Sequence, residues 1–443
     1  MASQDDEKHV AVPSGRLSRL TRFGGLASSI AGNVLVEGAR SAAKGERREL
    51  RELLMTPGNA AKVGDQLSQL RGAAMKLGQI LSMDAGDVVP PELAEMLAKL
   101  RDSAHSMPPQ QLRRVLEDNW GRNWRQKFLR FDVAPIAAAS IGQVHRAQTK
   151  DGRDVAIKIQ YPGVRESIDS DVDNVATLIR LTGMAPKGVD LKPLLAQAKE
   201  QLHEEADYQR EGQYLHRFGE LLASYDEFCV PALHEDLTTK NILTMSYLPG
   251  TPIEALADAP QDERDRVMTH LIDLVLRELL DFRVMQTDPN FANYRYQVEG
   301  KKIVLLDFGA ARDIPDDLAE GYRRLIIAGL DNHYDGMREA ALDIGLFSAE
   351  KTTDDQLQLL IDIFDMAMEP VRHEGAFDFG ATDMAMRMRD AGIKLRKDDR
   401  FTHVPPPQTL YFHRKFAGTY LLATRLKARV DVKNLLLPLV GRA

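Results

Sequence analysis

The chain has 443 residues, of which 44% are hydrophobic and 28% are charged, and its formal net charge at pH 7 is −7. This composition excludes a fibrous or wholly disordered chain, and the acidic balance argues against a protein whose main task is binding nucleic acid. The length predicts two or three domains. Cys229 is the single cysteine, so an internal disulfide and a thiolate metal site are excluded, which is typical of a reducing compartment.

The amino-terminal segment lacks the pattern of a targeting signal. Acidic residues at positions 5–7 are atypical of both signal and transit peptides, and the apolar stretch 23–39 is too short to span a membrane. Arg16, Arg19 and Arg22 alternate with apolar residues at helical spacing. Such a helix suits either an anionic membrane surface or packing on the rest of the protein. The expected location is cytoplasmic, with peripheral contact at the inner face of the membrane as an option.

The predicted elements change in character along the chain. Apolar residues recur at helical spacing over 62–82, and prolines at 90, 91, 108 and 109 mark a boundary after this helical extension. Two short β-type runs, 144–147 and 155–159, flank a turn at 150–153 and predict a hairpin. The remaining predicted elements are helices over 164–181 and 191–222, strands over 241–248 and 303–306, and mostly helical sequence from residue 262 onward.

Four polar residues have the order and spacing of a phosphoryl-transfer site. Lys158 ends a predicted strand, where its ammonium group suits the α- and β-phosphates of a nucleotide. Asn293 follows Asp288 by five residues, as in the kinase loop where the aspartate orients the acceptor and the asparagine binds metal. Asp307 follows another predicted strand and precedes Phe-Gly, as expected for a hard oxygen ligand of Mg²⁺.

Glu211, on the predicted helix after the strand lysine, is the natural ionic partner of Lys158. The helix position alone does not choose it, because other acidic residues lie nearby. These are Glu200, Glu204, Glu205 and Asp207. The ordered set of a strand lysine, a helix glutamate, Asp288 with Asn293, and Asp307 nevertheless predicts a kinase-like nucleotide site.

Four short motifs extend this set. They are Lys76-Leu77-Gly78-Gln79, Ala137-Ala138-Ala139-Ser140-Ile141-Gly142-Gln143, Glu205-Ala206-Asp207-Tyr208 leading to Glu211, and Gln286-Thr287-Asp288-Pro289-Asn290 leading to Asn293. With the Asp307 motif they resemble the UbiB/AarF family of atypical, protein-kinase-like proteins, in its branch linked to coenzyme Q biosynthesis. The resemblance covers residues 16–315, and its first two motifs are highly specific to the family.

The resemblance implies an α+β, two-lobed protein-kinase-like fold with a helical N-terminal extension that packs over the active cleft. It divides the chain into the extension, residues 1–108, a kinase-like N-lobe, residues 109–248, and a helical kinase-like C-lobe, residues 249–443. The last third of the chain is matched only loosely.

The resemblance also implies roles in the active site. Asp288 and Lys158 would be catalytic, and Asn293 and Asp307 would hold Mg²⁺. The alanine loop stands where ordinary kinases have a glycine-rich loop, and in the family it is associated with altered nucleotide preference and suppressed protein phosphorylation. The residues expected to contact the nucleotide, ATP or ADP, are Ala137, Ala138, Ala139, Ser140, Gly142, Gln143, Lys158, Glu211, Met245 and Leu248.

A regulatory contact is implied for the extension. Lys76 and Gln79 share one helix face, and the resemblance implies that they face Glu205 and Asp207. Residues two apart on a regular helix diverge by about 200°, so Glu205 and Asp207 can both take part only if their helix bends. Glu204 and Asp207 would share a face more easily.

Two departures from ordinary protein kinases bear on the substrate. Asn290 stands where a protein kinase usually has a lysine that meets the transferred phosphate, and no Ala-Pro-Glu motif or long activation segment follows Gly309. The usual platform for a peptide substrate is therefore not expected. The run Asn290-Phe291-Ala292 resembles the mitochondrial-type branch of the family instead of its common bacterial form.

The expected function is an ATP-binding, Mg²⁺-dependent atypical kinase or ATPase that supports ubiquinone biosynthesis. It would act on a lipid or small-molecule intermediate or on the biosynthetic enzyme complex. Candidate partners are a nucleotide, a lipid or quinone intermediate and quinone-biosynthesis proteins, with no nucleic acid. Two alternatives stay open: a nucleotide-gated scaffold or lipid-binding chaperone without phosphoryl transfer, and a true protein kinase.

Overall fold

The structure, a computed structural model, describes residues 72–74, 76, 107–181, 191–350, 352–396, 403 and 405–442. The α-helices in these ranges are α1 (Pro109–Trp120), α2 (Val164–Leu181), α3 (Leu191–Glu205), α4 (Tyr208–Leu221), α5 (Gln261–Leu280), α6 (Asp316–Leu330), α7 (Tyr334–Asp343), α8 (Asp354–Ala367), α9 (Glu369–Arg372), α10 (Met384–Arg396), α11 (Pro407–Leu426) and α12 (Val432–Leu436). The strands are β1 (Phe128–Phe131), β2 (Ala137–Ala138), β3 (Gly142–Thr149), β4 (Asp154–Gln160), β5 (Phe228–Cys229), β6 (Ile242–Ser246), β7 (Thr251–Pro252), β8 (Val284–Gln286), β9 (Tyr294–Gln297), β10 (Lys302–Leu305), β11 (Ala311–Asp313), β12 (Phe377–Asp378) and β13 (Arg429–Val430).

The described residues form two compact units. The first unit contains those up to Gln213 together with Ala232–Tyr247, and the second contains Tyr214–Pro231 and the residues from Leu248 onward. The division of the chain at residues 108 and 248 into an extension and two lobes stays a prediction.

The first unit is built on an antiparallel sheet. Its strand order is β1-β3-β4-β6, with β2 paired to β3. The predicted hairpin is confirmed, because β3 and β4 pair in register about the turn. Val155, Ile157 and Ile159 of β4 are fully buried in one core with apolar residues of α1, and each contributes about 1.5–3 kcal/mol by leaving water. Side chains alternate along a strand, so Lys158 projects from the other face of β4.

The helical stretch predicted over 191–222 is two helices. α3 ends at Glu205 and α4 begins at Tyr208. The carboxylate of Asp207 accepts a hydrogen bond from the backbone N–H of Arg210 at 3.2 Å, which is the interaction of a helix N-cap. The prediction of one continuous helix was wrong because helical periodicity does not reveal an N-cap that starts a new helix inside it. The break between α3 and α4 supplies the bend that Glu205 and Asp207 would need in order to face the same partner.

The second unit places two loops side by side. Strands β9 and β10 form an antiparallel hairpin in which Tyr294 lies opposite Leu305, and β8 pairs with β11. The loop 287–293 connects β8 to β9, and the loop 306–310 connects β10 to β11. Both loops therefore link the β8–β11 strand pair to the β9–β10 hairpin. After β11, Ile314 and Pro315 lead directly into α6.

Several predictions fall on the amino-terminal part of the chain. Gly72, Ala73, Ala74 and Lys76 are helical, as predicted for residues 62–82. The remainder of that helix, Gln79 and the basic segment with Arg16, Arg19 and Arg22 lie outside the described residues. Within the described ranges, no helix has the length and apolar character needed to cross a membrane.

Candidate active site

A buried ion pair joins strand β4 to helix α4 in the first unit. The Nζ atom of Lys158 lies 2.9 and 3.0 Å from the two carboxylate oxygens of Glu211. Lys158 is 8% exposed and Glu211 is 1% exposed. The structure therefore selects Glu211 from the acidic residues of the predicted helical stretch, because α4 starts afresh after the interruption at 206–207. Charged groups this deeply buried are tolerated when they are paired.

The alanine loop is a short strand followed by a tight turn. Ala137 pairs with Val144, and Ala138 pairs with Gln143. The backbone N–H of Ala139 donates to the carbonyl oxygen of Gly142 at 2.9 Å. The side chains of all three alanines are exposed. The loop thus has a hydrogen-bonded backbone and presents methyl groups on its surface.

Gly142 and Gln143, at the end of this loop, also have structural roles. A Cβ atom on Gly142 would lie 2.3 Å from the backbone carbonyl oxygen of Ile159, so only glycine allows β3 to approach β4 this closely. The side chain of Gln143 accepts from the N–H of Met107 at 2.8 Å and contacts Nε2 of His145 at 2.7 Å. Both ends of the Gln143 amide are used inside the first unit.

His145 completes this network as a neutral ring. Its Nδ1 atom lies 2.8 Å from the carbonyl oxygen of Asp132, which can only accept, so Nδ1 carries the proton and Nε2 accepts from Gln143. Burial lowers the pKa of His145, and its interactions with Asp132 oppose that effect only in part. The histidine is therefore a structural partner of the hairpin.

Glu205 links the helix of Lys76 to the alanine loop. Lys76 is buried and forms an ion pair with one oxygen of Glu205, and the other oxygen accepts from the hydroxyl of Ser140 at 2.8 Å. Gly72 packs against the same loop, since a Cβ atom there would lie 2.9 Å from a side-chain carbon of Ile141. Asp207 takes a different place as the cap of α4.

Met245 and Leu248, two of the predicted nucleotide contacts, differ in their surroundings. Met245 is buried in β6 and pairs with Ala156 of β4. Leu248 follows β6, is half-buried and belongs to the second unit.

Asp288 and Asn293 are hydrogen-bonded to each other in the second unit. The Nδ2 atom of Asn293 donates to Oδ2 of Asp288 at 3.0 Å. The other oxygen of Asp288 accepts from the backbone N–H of Asn290 at 3.2 Å. Asn290 in turn caps the following turn by accepting from the N–H of Ala292 at 3.1 Å. The loop therefore fixes both carboxylate oxygens of Asp288 by its own short-range hydrogen bonds.

Asn293 and Asp307 lie at the same end of the β9–β10 hairpin. The backbone N–H of Leu306 donates to the carbonyl oxygen of Asn293 at 3.0 Å. Oδ1 of Asp307 accepts from the N–H of Gly309 at 3.0 Å, and the ring of Phe308 packs 4.8 Å from that of Phe218. The side chain after Asp307 thereby anchors this loop in the core of the second unit.

These two residues fit a Mg²⁺ site. The amide nitrogen of Asn293 is used by Asp288, which leaves its amide oxygen as the metal-binding atom, and Asp307 supplies a carboxylate. Both line one small cavity. Mg²⁺ prefers oxygen ligands and usually keeps water and substrate phosphates in the rest of its shell. Across the described residues no cluster of three His, Cys, Asp or Glu residues could hold a metal ion, so a larger protein cage is not offered there.

Comparison with known proteins decides the family. The family model for the ABC1 atypical kinase-like domain matches residues 99–341, which is more than half of the chain. The chain belongs to the ABC1 atypical kinase-like family. The predicted family and the prediction of an atypical kinase-like enzyme are confirmed.

Similar proteins cover nearly the whole chain. "Atypical kinase COQ8, mitochondrial" of Saccharomyces cerevisiae is 37% identical over 435 residues, which are 98% of this chain and 86% of the yeast protein. "Atypical kinase COQ8B, mitochondrial" of Rattus norvegicus is 36% identical over 438 residues, which are 97% of this chain and 81% of the rat protein. The solved Rv3197–erythromycin complex from Mycobacterium tuberculosis has a TM-score of 0.59 and 25% identity, and the match covers 83% of this chain and 92% of that one. The predicted α+β kinase-like fold is confirmed.

Sequence reasoning missed a buried polar cluster in the second unit. Nζ of Lys415, from α11, lies 2.7 Å from the hydroxyl of Tyr294, 3.1 Å from Oε1 of Gln286 and 3.8 Å from Oε2 of Glu278. The backbone N–H of Gln286 donates to the other oxygen of Glu278 at 3.3 Å. Lys415 and Glu278 are each 1% exposed.

The charges in this cluster stabilise each other. Burial raises the pKa of Glu278 to about 7, against the opposing effect of Lys415. Burial by itself would lower the pKa of Lys415, but Glu278 and Tyr294 raise it above its usual value, so the lysine is charged at neutral pH. One signal in the sequence could have revealed this buried cluster. Lys415 occupies the spacing of the buried stripe formed by Tyr411, Gly418 and Leu422 on α11, where a lone lysine needs a buried partner.

Proposed function

We propose that this protein is a Mg²⁺-dependent atypical kinase or ATPase that binds ATP or ADP and supports ubiquinone biosynthesis. Membership of the ABC1 family supports the kinase-like chemistry. The names of the yeast and rat relatives, atypical kinases COQ8 and COQ8B, support the same chemistry, and the branch of the family that the motifs resemble supports the link to coenzyme Q.

The observation that carries the proposal is the hydrogen-bonded pair of Asp288 and Asn293 beside the loop of Asp307. Together, two such loops can present one carboxylate toward an acceptor and two oxygen ligands toward a metal. Asp288 orients the attacking hydroxyl or water and accepts its proton. Asn293 and Asp307 hold Mg²⁺, which when bound neutralises charge on the phosphate oxygens.

The first unit supplies the nucleotide contacts in this proposal. Lys158, fixed by Glu211, contacts the α- and β-phosphates. Ala137, Ala138, Ala139 and Ser140 form the loop beside the nucleotide, and Met245 and Leu248 are further nucleotide contacts. Gly142 and Gln143 support the loop through their packing and hydrogen bonds, and alanine in place of glycine restricts the torsions that would wrap backbone N–H groups around phosphate.

Lys76, Gln79, Glu205 and Asp207 form the regulatory part of the proposal. The support comes from Glu205, which binds Lys76 through one oxygen and Ser140 of the alanine loop through the other. A change in the helix of Lys76 would therefore reach the nucleotide loop through one side chain. Asp207 acts by capping α4, the helix that carries Glu211.

A small-molecule or lipid acceptor fits this chain better than a peptide. Ile314 and Pro315 are all that separates β11 from α6, which leaves no long activation segment to bind a polypeptide. We propose a lipid or quinone intermediate, or quinone-biosynthesis proteins, as partners, with no nucleic acid. We propose a cytoplasmic location, with peripheral contact at the inner face of the membrane as an option.

Asp307→Asn tests the proposal. It removes a metal-binding carboxylate at constant size, so we expect Mg²⁺-dependent nucleotide hydrolysis by the purified full chain to fall by about 10²-fold or more. The same variant should fail to restore ubiquinone content in a strain that lacks this protein, as measured by mass spectrometry of extracted quinones.

The matched control is Asp316→Asn, because Asp316 is exposed in the first turn of α6. It should leave both readouts unchanged. Hydrolysis by Asp307→Asn at the rate of the unchanged chain would overturn the enzymatic proposal. Full restoration of ubiquinone by an Asp288→Asn, Asp307→Asn double variant would support a nucleotide-gated scaffold instead.

A further inference from the structure

The loop that carries Asp288 and Asn293 is held at both ends by one side chain of α11. Lys415 donates to Gln286, two residues before Asp288, and to Tyr294, the residue after Asn293. Lys415 is separated from Gln286 by 129 positions in the sequence, so this is a tertiary contact and not a local turn. A lysine suits this position because the three N–H groups of its ammonium can donate to several acceptors around one atom.

The middle of the same loop also rests on α11. A Cβ atom on Gly418 would lie 2.4 Å from the side chain of Pro289, so the loop touches the helix at a position where any side chain would displace it. Lys415 and Gly418 are three residues apart and share a face of the helix. The helix thus contacts the loop at both ends and between Asp288 and Asn293.

Glu278 of α5 also contacts both the start of this loop and Lys415. One of its oxygens accepts from the backbone N–H of Gln286, and the other faces Lys415 at 3.8 Å. Lys415 therefore joins α5, α11 and both ends of the loop in a single buried cluster.

We propose that Lys415 is a positioning residue, which holds the 286–294 loop so that Asp288 and Asn293 keep the geometry of catalysis. The inference deepens the proposed function and rests on it for the roles of Asp288 and Asn293. A competing explanation is that Lys415 only neutralises Glu278. The two explanations differ in a variant that removes both charges, because neutralisation is then no longer needed but the loop has still lost its anchor.

The experiment uses the full chain with Lys415→Met, and with Lys415→Met combined with Glu278→Gln. Glutamine at 278 keeps the acceptor for the N–H of Gln286 and removes the charge. Lys394→Met, at an exposed position of α10, controls for the substitution itself. The three readouts are the thermal unfolding midpoint, the kcat and KM of Mg²⁺-dependent nucleotide hydrolysis, and hydrogen–deuterium exchange of peptides covering 286–294.

We expect the double variant to unfold near the midpoint of the unchanged chain and to hydrolyse nucleotide with a kcat lower by about 10–100-fold at similar KM, as a displaced catalytic group would cause. Its 286–294 amides should exchange faster, while those of β3 and β4 should not change. Recovery of kcat and of slow exchange in the double variant would overturn the inference in favour of simple neutralisation.

The exchange measurement separates this inference from the proposed function. If the unchanged chain hydrolyses no nucleotide, the proposed function fails, but faster exchange confined to 286–294 in the double variant still supports Lys415 as the anchor of the loop. Unchanged exchange there overturns the inference whether or not the protein is an enzyme.

Discussion

Each buried lysine among the described residues is paired with a glutamate. Lys76 meets Glu205, Lys158 meets Glu211, and Lys415 meets Glu278. The net stability of a buried ion pair is small, because desolvation offsets most of the attraction, but removal of one partner leaves an uncompensated charge. The Lys158 pair is therefore a sensitive place to separate a stabilising role from a nucleotide-binding role.

Lys158→Met should destabilise the folded chain by about 3–5 kcal/mol, because the carboxylate of Glu211 is left buried without its cation. Lys158→Met with Glu211→Gln should recover most of that loss, since neither residue is then charged. Both variants should be equally inactive in nucleotide hydrolysis. Urea unfolding of the purified chains measures the free energy of unfolding, and a double variant no more stable than the single one would contradict this account of the pair.

Single residues show where sequence reasoning succeeds and where it stops. The pairing of Lys158 with Glu211 was predicted from the order of a strand lysine followed by a helix glutamate, but four other acidic residues fitted the role until the structure showed where α4 begins. Gly142 was predicted as a nucleotide contact, but the structure shows that a side chain at this position would collide with the backbone of Ile159. Lys415 was missed because its partners are brought to it by the fold, 129 positions away, and no local pattern records that contact.

At the scale of the elements, α11 carries a second buried polar group, His413. Its Nε2 atom lies within hydrogen-bonding distance, 3.1 Å, of the hydroxyl of Tyr322 of α6, and burial lowers the pKa of His413 to about 4. An unfolded histidine has a pKa near 6.5. Between these values the unfolded chain binds the proton and the folded chain does not, so the stability from this site is complete above pH 6.5 and is lost as the pH falls toward 4.

His413→Gln should remove this pH dependence, because the glutamine amide can hydrogen-bond to Tyr322 and does not titrate. Relative to the unchanged chain, the variant should gain about 1.4 kcal/mol of unfolding free energy for each pH unit below 6.5, down to about pH 4. Urea unfolding at pH 7 and pH 4.5 measures the difference. The exposed His216 gives the control His216→Gln, and a gap between His413→Gln and the unchanged chain that stays constant with pH would refute the assignment.

The elements themselves were largely predictable, for reasons that differ from one to the next. The β3–β4 hairpin was found because its apolar alternation and its turn signal agree. Helix α2 was predicted over 164–181 and occupies Val164–Leu181, because its buried stripe is continuous. The boundary between α3 and α4 was not found, because Asp207 acts there through a cap of a single residue, and an aspartate within a helical pattern looks the same as a solvated charge.

For the whole molecule, the proposed phosphate contacts belong to the first unit and the proposed metal ligands to the second, so each proposal can be tested in the full chain by ligand binding. A ligand at 100 times its Kd stabilises the folded state by about 2.7 kcal/mol. In a unit of about 200 residues each kcal/mol raises the unfolding midpoint by about 2–4 °C. A nucleotide with Mg²⁺ should therefore raise the midpoint of the unchanged chain by about 5–10 °C.

The variants should divide this shift into two parts. Asp307→Asn should keep the part that the nucleotide produces in the presence of a chelator and lose the increment that Mg²⁺ adds, because only the metal ligand is changed. Lys158→Met with Glu211→Gln should lose the shift in both conditions, because the phosphates have lost their cation. A full Mg²⁺ increment in Asp307→Asn would refute the metal assignment, and a full shift in the Lys158 and Glu211 double variant would refute the phosphate assignment, each independently of any measured hydrolysis.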